Sequence, residues 1–250
     1  MPESSGGESK LWYEAAFERG YLEVYPHRDL QAARSEVAGL VQRGLEGRVL
    51  DMGCGFGRHS LAMLELGLEV VGMDLSADLL GSSSRLEGGE SLRGRLVRAD
   101  FRAPPFQSAS FDAVTMLFSS FGYFDDVGNR SVAAEVARLL KPGGSAIFDL
   151  MNPFRIRASL VPESRTERDG IVLHERRRLS GGGVRVQKQV DLVLSSGARS
   201  SWQEDVRMYE PEEFAALLGG VGLEVERTEG EFDGRPFDPE APRQIVWARA

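Results

Sequence analysis

Three aspartates close short apolar runs: Asp51 after Val49-Leu50, Asp74 after Val70-Val71-Gly72-Met73, and Asp100 after Leu96-Val97-Arg98-Ala99. Behind the first come three alternate glycines, Gly53, Gly55 and Gly57, and then an apolar helical pattern opening at Arg58-His59. Glycine is needed where the backbone takes positive φ or closely approaches a ligand. The amides at a helix start suit an anionic or electron-rich group. Asp74 lies 17 residues beyond Gly57, near the spacing of about 20 at which an acid in a βαβ unit reaches ribose hydroxyls. Its carboxylate can accept from both hydroxyls of a diol. Asp100 can accept from an exocyclic amine, with Phe101 packed beside a purine. Phe118-Ser119 closes a fourth apolar run. Several acids on one rim also suit a cationic ligand, such as a sulfonium beside Asp51 or an aromatic face. Arg58 stands where a dinucleotide fingerprint would want its third glycine.

These residues need a scaffold that brings strand ends together. Apolar runs at 49–51, 68–74, 95–100, 111–118 and 145–150 alternate with helical patterns at 59–66, 77–85 and 131–140. Strands separated by helices form βαβ units, hence a parallel sheet covered on both faces. The expected fold is α/β, a doubly wound sheet. Lys141-Pro142-Gly143-Gly144 fits a tight turn. After about residue 152 the pattern changes to alternating runs at 171–178, 184–194 and 202–209 with Gly/Ser turns between them. They predict a small antiparallel three-stranded insertion after strand five. Asn152-Pro153-Phe154 reads as a turn. Pro211 opens a helix with Phe214, Leu217 and Leu218 inward, and 223–227 and 244–249 are the last strands. The expected division is 1–46 as an N-terminal helical lid, 47–152 with 210–250 as the core, and 153–209 as the insertion. The aromatic-rich segment 11–25 reads equally as a helix docked by its aromatic face or as a lid presenting Tyr21, Tyr25, His27 and Arg28 to a ligand.

The chain of 250 residues carries a net charge of −8 and one cysteine, Cys54. The acidic balance argues against a phosphate backbone as partner, leaving small-molecule or protein substrates favoured, of which a small molecule is expected. A single cysteine removes disulfides and cysteine-cluster metal sites. His27, His59 and His174 show no ligand spacing, so no metal is expected. A polar start and the lack of a long apolar run point to a cytoplasmic protein with no membrane span.

The motifs Val-Leu-Asp-Met-Gly-Cys-Gly-Phe-Gly (49–57), Val-Val-Gly-Met-Asp-Leu-Ser (70–76), Arg-Ala-Asp-Phe (98–101), Phe-Asp-Ala-Val (111–114) and Leu-Leu-Lys-Pro-Gly-Gly (139–144) resemble class I S-adenosylmethionine-dependent methyltransferases, whose sheet is Rossmann-like. Tyr-Pro-His-Arg-Asp (25–29), Gly-Arg-His (57–59), Ser-Phe-Gly-Tyr-Phe (120–124) and Phe-Asp-Gly-x-Pro-Phe-Asp (232–238) resemble a bacterial small-molecule subgroup, similar in plan to sugar N,N-dimethyltransferases. The resemblance implies S-adenosylmethionine as cofactor, with Asp51, Gly53, Gly55 and Gly57 at its methionine end. Asp74 would take the ribose, Leu75, Asp100 and Phe101 the adenine, and Phe118 and Ser119 would lie beside the sulfonium. Arg58 or His59 would serve the cofactor carboxylate or simply pack the helix start. Tyr21 is the position matched to a tyrosine contacting cofactor and substrate, with Tyr25 as rival. Tyr25, Arg28 and Tyr123 are the expected substrate contacts. The expected activity is methyl transfer to an N or O nucleophile of a small molecule. An oxygen acceptor would want a base, Tyr21 or His27. A nicotinamide-dependent oxidoreductase and a non-catalytic cofactor-binding protein remain as alternatives.

Overall fold

Val49, Leu50 and Met52 are all buried, and one strand can hide them only at the centre of a sheet covered on both faces. In the computed structural model, which describes Trp12, Tyr13 and residues 29–250, β1 (Arg48–Met52) is that strand. It pairs in parallel with β2 (Glu69–Asp74) and β4 (Phe111–Met116). Outside these, β3 (Leu96–Arg98) joins β2 and β5 (Leu140–Met151) joins β4, both in parallel. An antiparallel pair, β10 (Glu224–Glu229) and β11 (Arg243–Arg249), completes a seven-stranded sheet of order β10-β11-β5-β4-β1-β2-β3. The strand order reverses between β1 and β4, where open α/β sheets form their ligand crevice.

Helix α1 (Leu30–Gln42), capped by the Asp29 carboxylate on Ala32 N, and α2 (Arg58–Glu65) cover one face. Ala33, Val37, Leu40 and Met63 pack there with Val49, Ile147 and Trp247. A short α3 (Ala77–Gly81) follows β2 and turns into a 3₁₀ segment, Ser82–Arg85, where the sequence predicts one helix. On the other face lie α4 (Asp126–Leu139) and α6 (Pro211–Gly219), with Val132, Val136, Phe214 and Leu218 against Phe111, Val114 and Phe148. The part of segment 1–46 formed by α1 is thus a layer of the core, not a lid. Tyr21, Tyr25, His27 and Arg28 lie outside the described residues.

Three other expectations are corrected. Strand four stops at Met116, two residues early, because Phe118 and Ser119 both turn to φ 59. Asn152 is the N-cap of α5 (Pro153–Ser159) rather than part of a turn, and its amide nitrogen donates to the carbonyls of Asp238 and Ala241 at 2.9 and 2.8 Å. The insertion has four antiparallel strands, not three: β6 (Glu163–Arg168), β7 (Ile171–Ser180), β8 (Arg185–Val193) and β9 (Arg199–Arg207). Five of the six β6 residues are exposed, so no apolar period announces the strand. The insertion is stitched to the segment after β4, with Arg207 N on Gly122 O at 2.8 Å and Arg185 Nη1 on Phe124 O at 3.0 Å. Trp12 packs on its Val190, Leu192 and Trp202. Among the described residues no helix is long and apolar enough to cross a membrane.

Candidate functional site

A cavity of about 370 Å³ opens at the carboxyl ends of the parallel strands. It gathers ten residues named from the sequence: Gly53, Gly55, Arg58, His59, Asp74, Leu75, Asp100, Phe101, Phe118 and Tyr123. The loop after β1 forms its floor. Gly53 takes φ 85, and a Cβ there would stand 2.8 Å from Ser120 Cβ and 3.1 Å from Phe101 Cζ. Gly53→Ala is therefore expected to destabilise the fold by about 1–3 kcal/mol and to weaken cofactor binding, measurable by denaturant unfolding and calorimetry. At Gly55 the constraint differs: an added Cβ would meet only Leu79 at 3.8 Å, so the chain presents bare backbone to the cavity.

Asp74 is fixed by the same loop. Its Oδ2 accepts from Gly55 N and its Oδ1 from Ser76 N, both at 2.9 Å. Protein crowds it on most sides, and this burial pushes its carboxyl above the usual carboxylate value, against the pull of the two amides. Just past the neighbouring strand β3, the Arg102 guanidinium grips both oxygens of Asp100, at 2.6–3.2 Å, and holds its carboxyl below the usual value. Arg98 reaches from β3 to donate to Leu75 O at 3.0 Å.

At the opposite end stand Arg58 and His59, the first residues of α2. Glu36 of α1 binds both, with Oε2 2.6 Å from His59 Nε2 and 3.1 Å from Arg58 Nη1. Burial, then the Arg58 charge, lowers the His59 pKa and keeps the ring neutral, so Nε2 carries the proton it donates. Arg58 is only 5% exposed, and its Nη2 has no hydrogen-bond partner among the described residues. A buried guanidinium donor left unpaired costs about 1–3 kcal/mol, so this end of the cavity favours an anion. The Arg58 guanidinium carbon is 5.0 Å from the centre of the Phe118 ring. The mouth is aromatic: Tyr13 lies 5.2 Å from Phe124 and Phe101 6.4 Å from Tyr123, centre to centre, and Trp12 backs Tyr123 at 5.0 Å.

Three expected residues are not in the cavity wall. Asp51 is 1% exposed and lies beneath the loop. Its Oδ2 accepts from Ser60 Oγ at 2.6 Å and its Oδ1 from Thr115 Oγ1 at 3.3 Å, tying α2 to β1 and β4. Gly57 opens α2 with φ 87, and a Cβ there would stand 2.6 Å from Leu92 Cδ1, so it serves packing. Ser119 donates its amide to Asp149 O at 2.9 Å. Burial, reinforced by the Asp74 and Asp51 charges, pushes the Cys54 thiol well up and keeps it protonated, as suits a packing residue. Tyr13, Ser120, Phe124 and Arg98 were missed. The aromatic density of 11–25 was the signal for Tyr13, but the sequence directed it to Tyr21 and Tyr25.

A doubly wound sheet with a glycine loop, strand-end acids and a cavity at the switch point defines a Rossmann-like nucleotide-cofactor protein. Residues 49–144 match the methyltransferase domain family. The chain is 31% identical over 222 residues to the cypemycin N-terminal methyltransferase of a Streptomyces species, covering 84% of this chain and 88% of that protein. Among solved structures, the CcbJ methyltransferase of Streptomyces caelestis superposes with a TM-score of 0.79 at 18% identity, over 96% of this chain and 98% of that one. The sugar N-methyltransferase KedS8 of Streptoalloteichus sp ATCC 53650 does so with 0.71 at 20%, over 99% of each. At such identities the likeness is one of fold. The chain belongs to the S-adenosylmethionine-dependent methyltransferases. That membership displaces the nicotinamide-dependent alternative.

Proposed function

We propose that this methyltransferase acts on the nitrogen of a small-molecule amine. The observation that supports the reading is the cavity itself, with cation at one end, acids along one side and aromatic rings at the mouth. Arg58, with its unpartnered buried Nη2, would hold the methionine carboxylate, and the bare backbone at Gly53 and Gly55 would line the methionine chain. Asp74 would accept from both ribose hydroxyls. Leu75 and Phe101 would flank the adenine, whose amine Asp100 would accept, since a carboxylate held by one guanidinium retains free lone pairs. The Phe118 ring would wall the sulfonium. Bound S-adenosylmethionine supplies an electrophilic methyl group. The chain's own task is to hold the nucleophile in line with it and to exclude water.

Nitrogen is preferred over oxygen because the wall offers little general-base power. His59 is buried, which lowers its basicity, and its Nε2 is tied to Glu36; Asp100 is gripped by Arg102, and both oxygens of Asp74 are taken up by backbone amides. A neutral amine needs no base to attack. Tyr13, Tyr123 and Phe124 line the cavity with aromatic rings, a surrounding that would suit the methylated ammonium product. We assign the roof of the acceptor pocket to Trp12, Tyr13 and the insertion, with Tyr25 and Arg28 as further substrate contacts. Tyr21 and His27 would enter as bases only for an oxygen acceptor.

The test is methyl-labelled S-adenosylmethionine against a panel of aminosugars, primary and secondary amines, phenols and alcohols, read by mass spectrometry. Label should appear in amines, at a rate that rises with pH as the acceptor loses its proton. Label confined to hydroxyl acceptors would overturn the nitrogen assignment. Tight cofactor binding with no transfer to any acceptor would instead favour a binding protein without catalysis.

A further inference from the structure

Arg243 lies outside the cavity wall, yet its contacts with Asp149 and Phe118 lead to the end of the cavity where Arg58 stands. It opens β11, which runs antiparallel to β5, so its register with Met151 puts it at the carboxyl rim of the parallel strands. Its Nη1 lies 2.8 and 2.7 Å from the two carboxylate oxygens of Asp149. Asp149 is wholly buried and carries a second load: its Oδ2 accepts from Phe118 N at 2.7 Å and its backbone oxygen from Ser119 N at 2.9 Å. Those two residues both sit at φ 59. A non-glycine residue pays about 1–2 kcal/mol for that conformation and keeps it only where its surroundings impose it. The Asp149 pair of acceptors is that imposition. The Arg243 guanidinium carbon also stands 4.9 Å from the centre of the Phe118 ring, the ring that Arg58 approaches to 5.0 Å.

We propose that Arg243 is a positioning residue for the methyl-donor end of the site: through Asp149 it locks the Phe118–Ser119 turn, and through the Phe118 ring it fixes the Arg58 guanidinium. The link is specific to the site. A buried ion pair is seldom a net stabiliser compared with apolar packing, so stability alone gives no reason to place one here. Both ends of this pair bear on the turn that walls the cavity. The β10–β11 connection serves the same purpose. Glu231 lies 3.8 Å from Arg243 Nε and the Phe232 ring centre 5.3 Å from its guanidinium carbon, which gives the Phe-Asp-Gly motif at 232–234 a local task.

The proposal rests on the placement of the methionine carboxylate at Arg58, and the test separates the two. Calorimetry on the full chain would compare S-adenosylhomocysteine with 5′-methylthioadenosine, which keeps the nucleoside and thioether but lacks the amino-acid end. Arg243→Met should weaken S-adenosylhomocysteine about tenfold or more and leave 5′-methylthioadenosine within about twofold, since only the carboxylate partner is misplaced. Arg243→Lys keeps the charge, and one ammonium can still meet Asp149, but it lacks the guanidinium plane that stands against the Phe118 ring. It should show the same selective loss in smaller measure, and decides the matter if the Met variant does not fold. Equal losses for both ligands, or no loss in Arg243→Lys, would overturn the positioning role. Arg58→Met is the control. If it leaves the difference between the ligands at its wild-type value, the carboxylate placement falls and the proposal with it; if it removes the difference while both Arg243→Met and Arg243→Lys leave it at the wild-type value, the positioning role alone falls.

Discussion

Asp74→Ala is expected to weaken S-adenosylhomocysteine by at least about 100-fold, because two hydrogen bonds to a charged acceptor contribute about 1.5–3 kcal/mol each. The geometry makes this loss local. The Gly55 and Ser76 amides fix the two carboxylate oxygens and so orient the remaining lone pairs. Both amides can turn to water in the variant, since the group lies in the cavity wall. Asp74→Asn should lose nearly as much, because an NH₂ group would face one of two backbone N–H donors. The pH dependence carries a sign that identifies the residue. Burial raises the folded carboxyl above its unfolded value, so ionising it costs the cofactor-free protein stability as pH rises through the folded pKa. The ribose hydroxyls favour the ionised form, so wild-type affinity should rise as pH rises through that raised pKa. Asp74→Asn should flatten that rise. Unchanged affinity in Asp74→Ala would show that the ribose lies elsewhere.

The contrast between Asp74 and Asp51 shows how far the sequence reaches. Both close a parallel strand beside the glycine loop, and in the chain they look alike. Asp74 faces the cavity, whereas Asp51 faces α2 because Ser60 and Thr115 supply hydroxyls to it. Thr115 becomes its neighbour only through the β1–β4 register. Local pattern therefore located the cavity at the strand ends, since strand ends and glycine turns are set within a few residues. It could not assign the cationic end, where Arg58, Glu36, Asp149 and Arg243 meet from four separate elements. The β6 strand was illegible for a different reason: it is exposed on both sides, and hydrophobic periodicity reports only on faces that are buried.

Phe214→Ala should cost about 3–5 kcal/mol, read from urea unfolding. Phe214 has no exposed surface, and its ring lies 5.3 Å from Phe121, 5.1 Å from Phe148 and 5.4 Å from Tyr209. These rings join α6 to β5, to the segment after β4 and to the end of the insertion, so the cluster ties the insertion to the sheet. Tyr209 gives an internal reporter. Burial pushes its hydroxyl up to about 12 from an ordinary value of about 10, and Asn129 Nδ2 donates to it at 2.9 Å. If the substitution leaves a confined cavity, Tyr209 stays shielded and titrates near its wild-type midpoint despite the lost stability. If α6 detaches, water reaches the hydroxyl and its ionisation moves down toward about 10. Phe214→Leu, which refills most of the space, should lose about half as much stability and leave the midpoint in place. A loss below about 1 kcal/mol in Phe214→Ala would mean that the ring cluster is not what ties the insertion to the sheet, because a fully buried phenyl cannot be removed so cheaply from a packed interior.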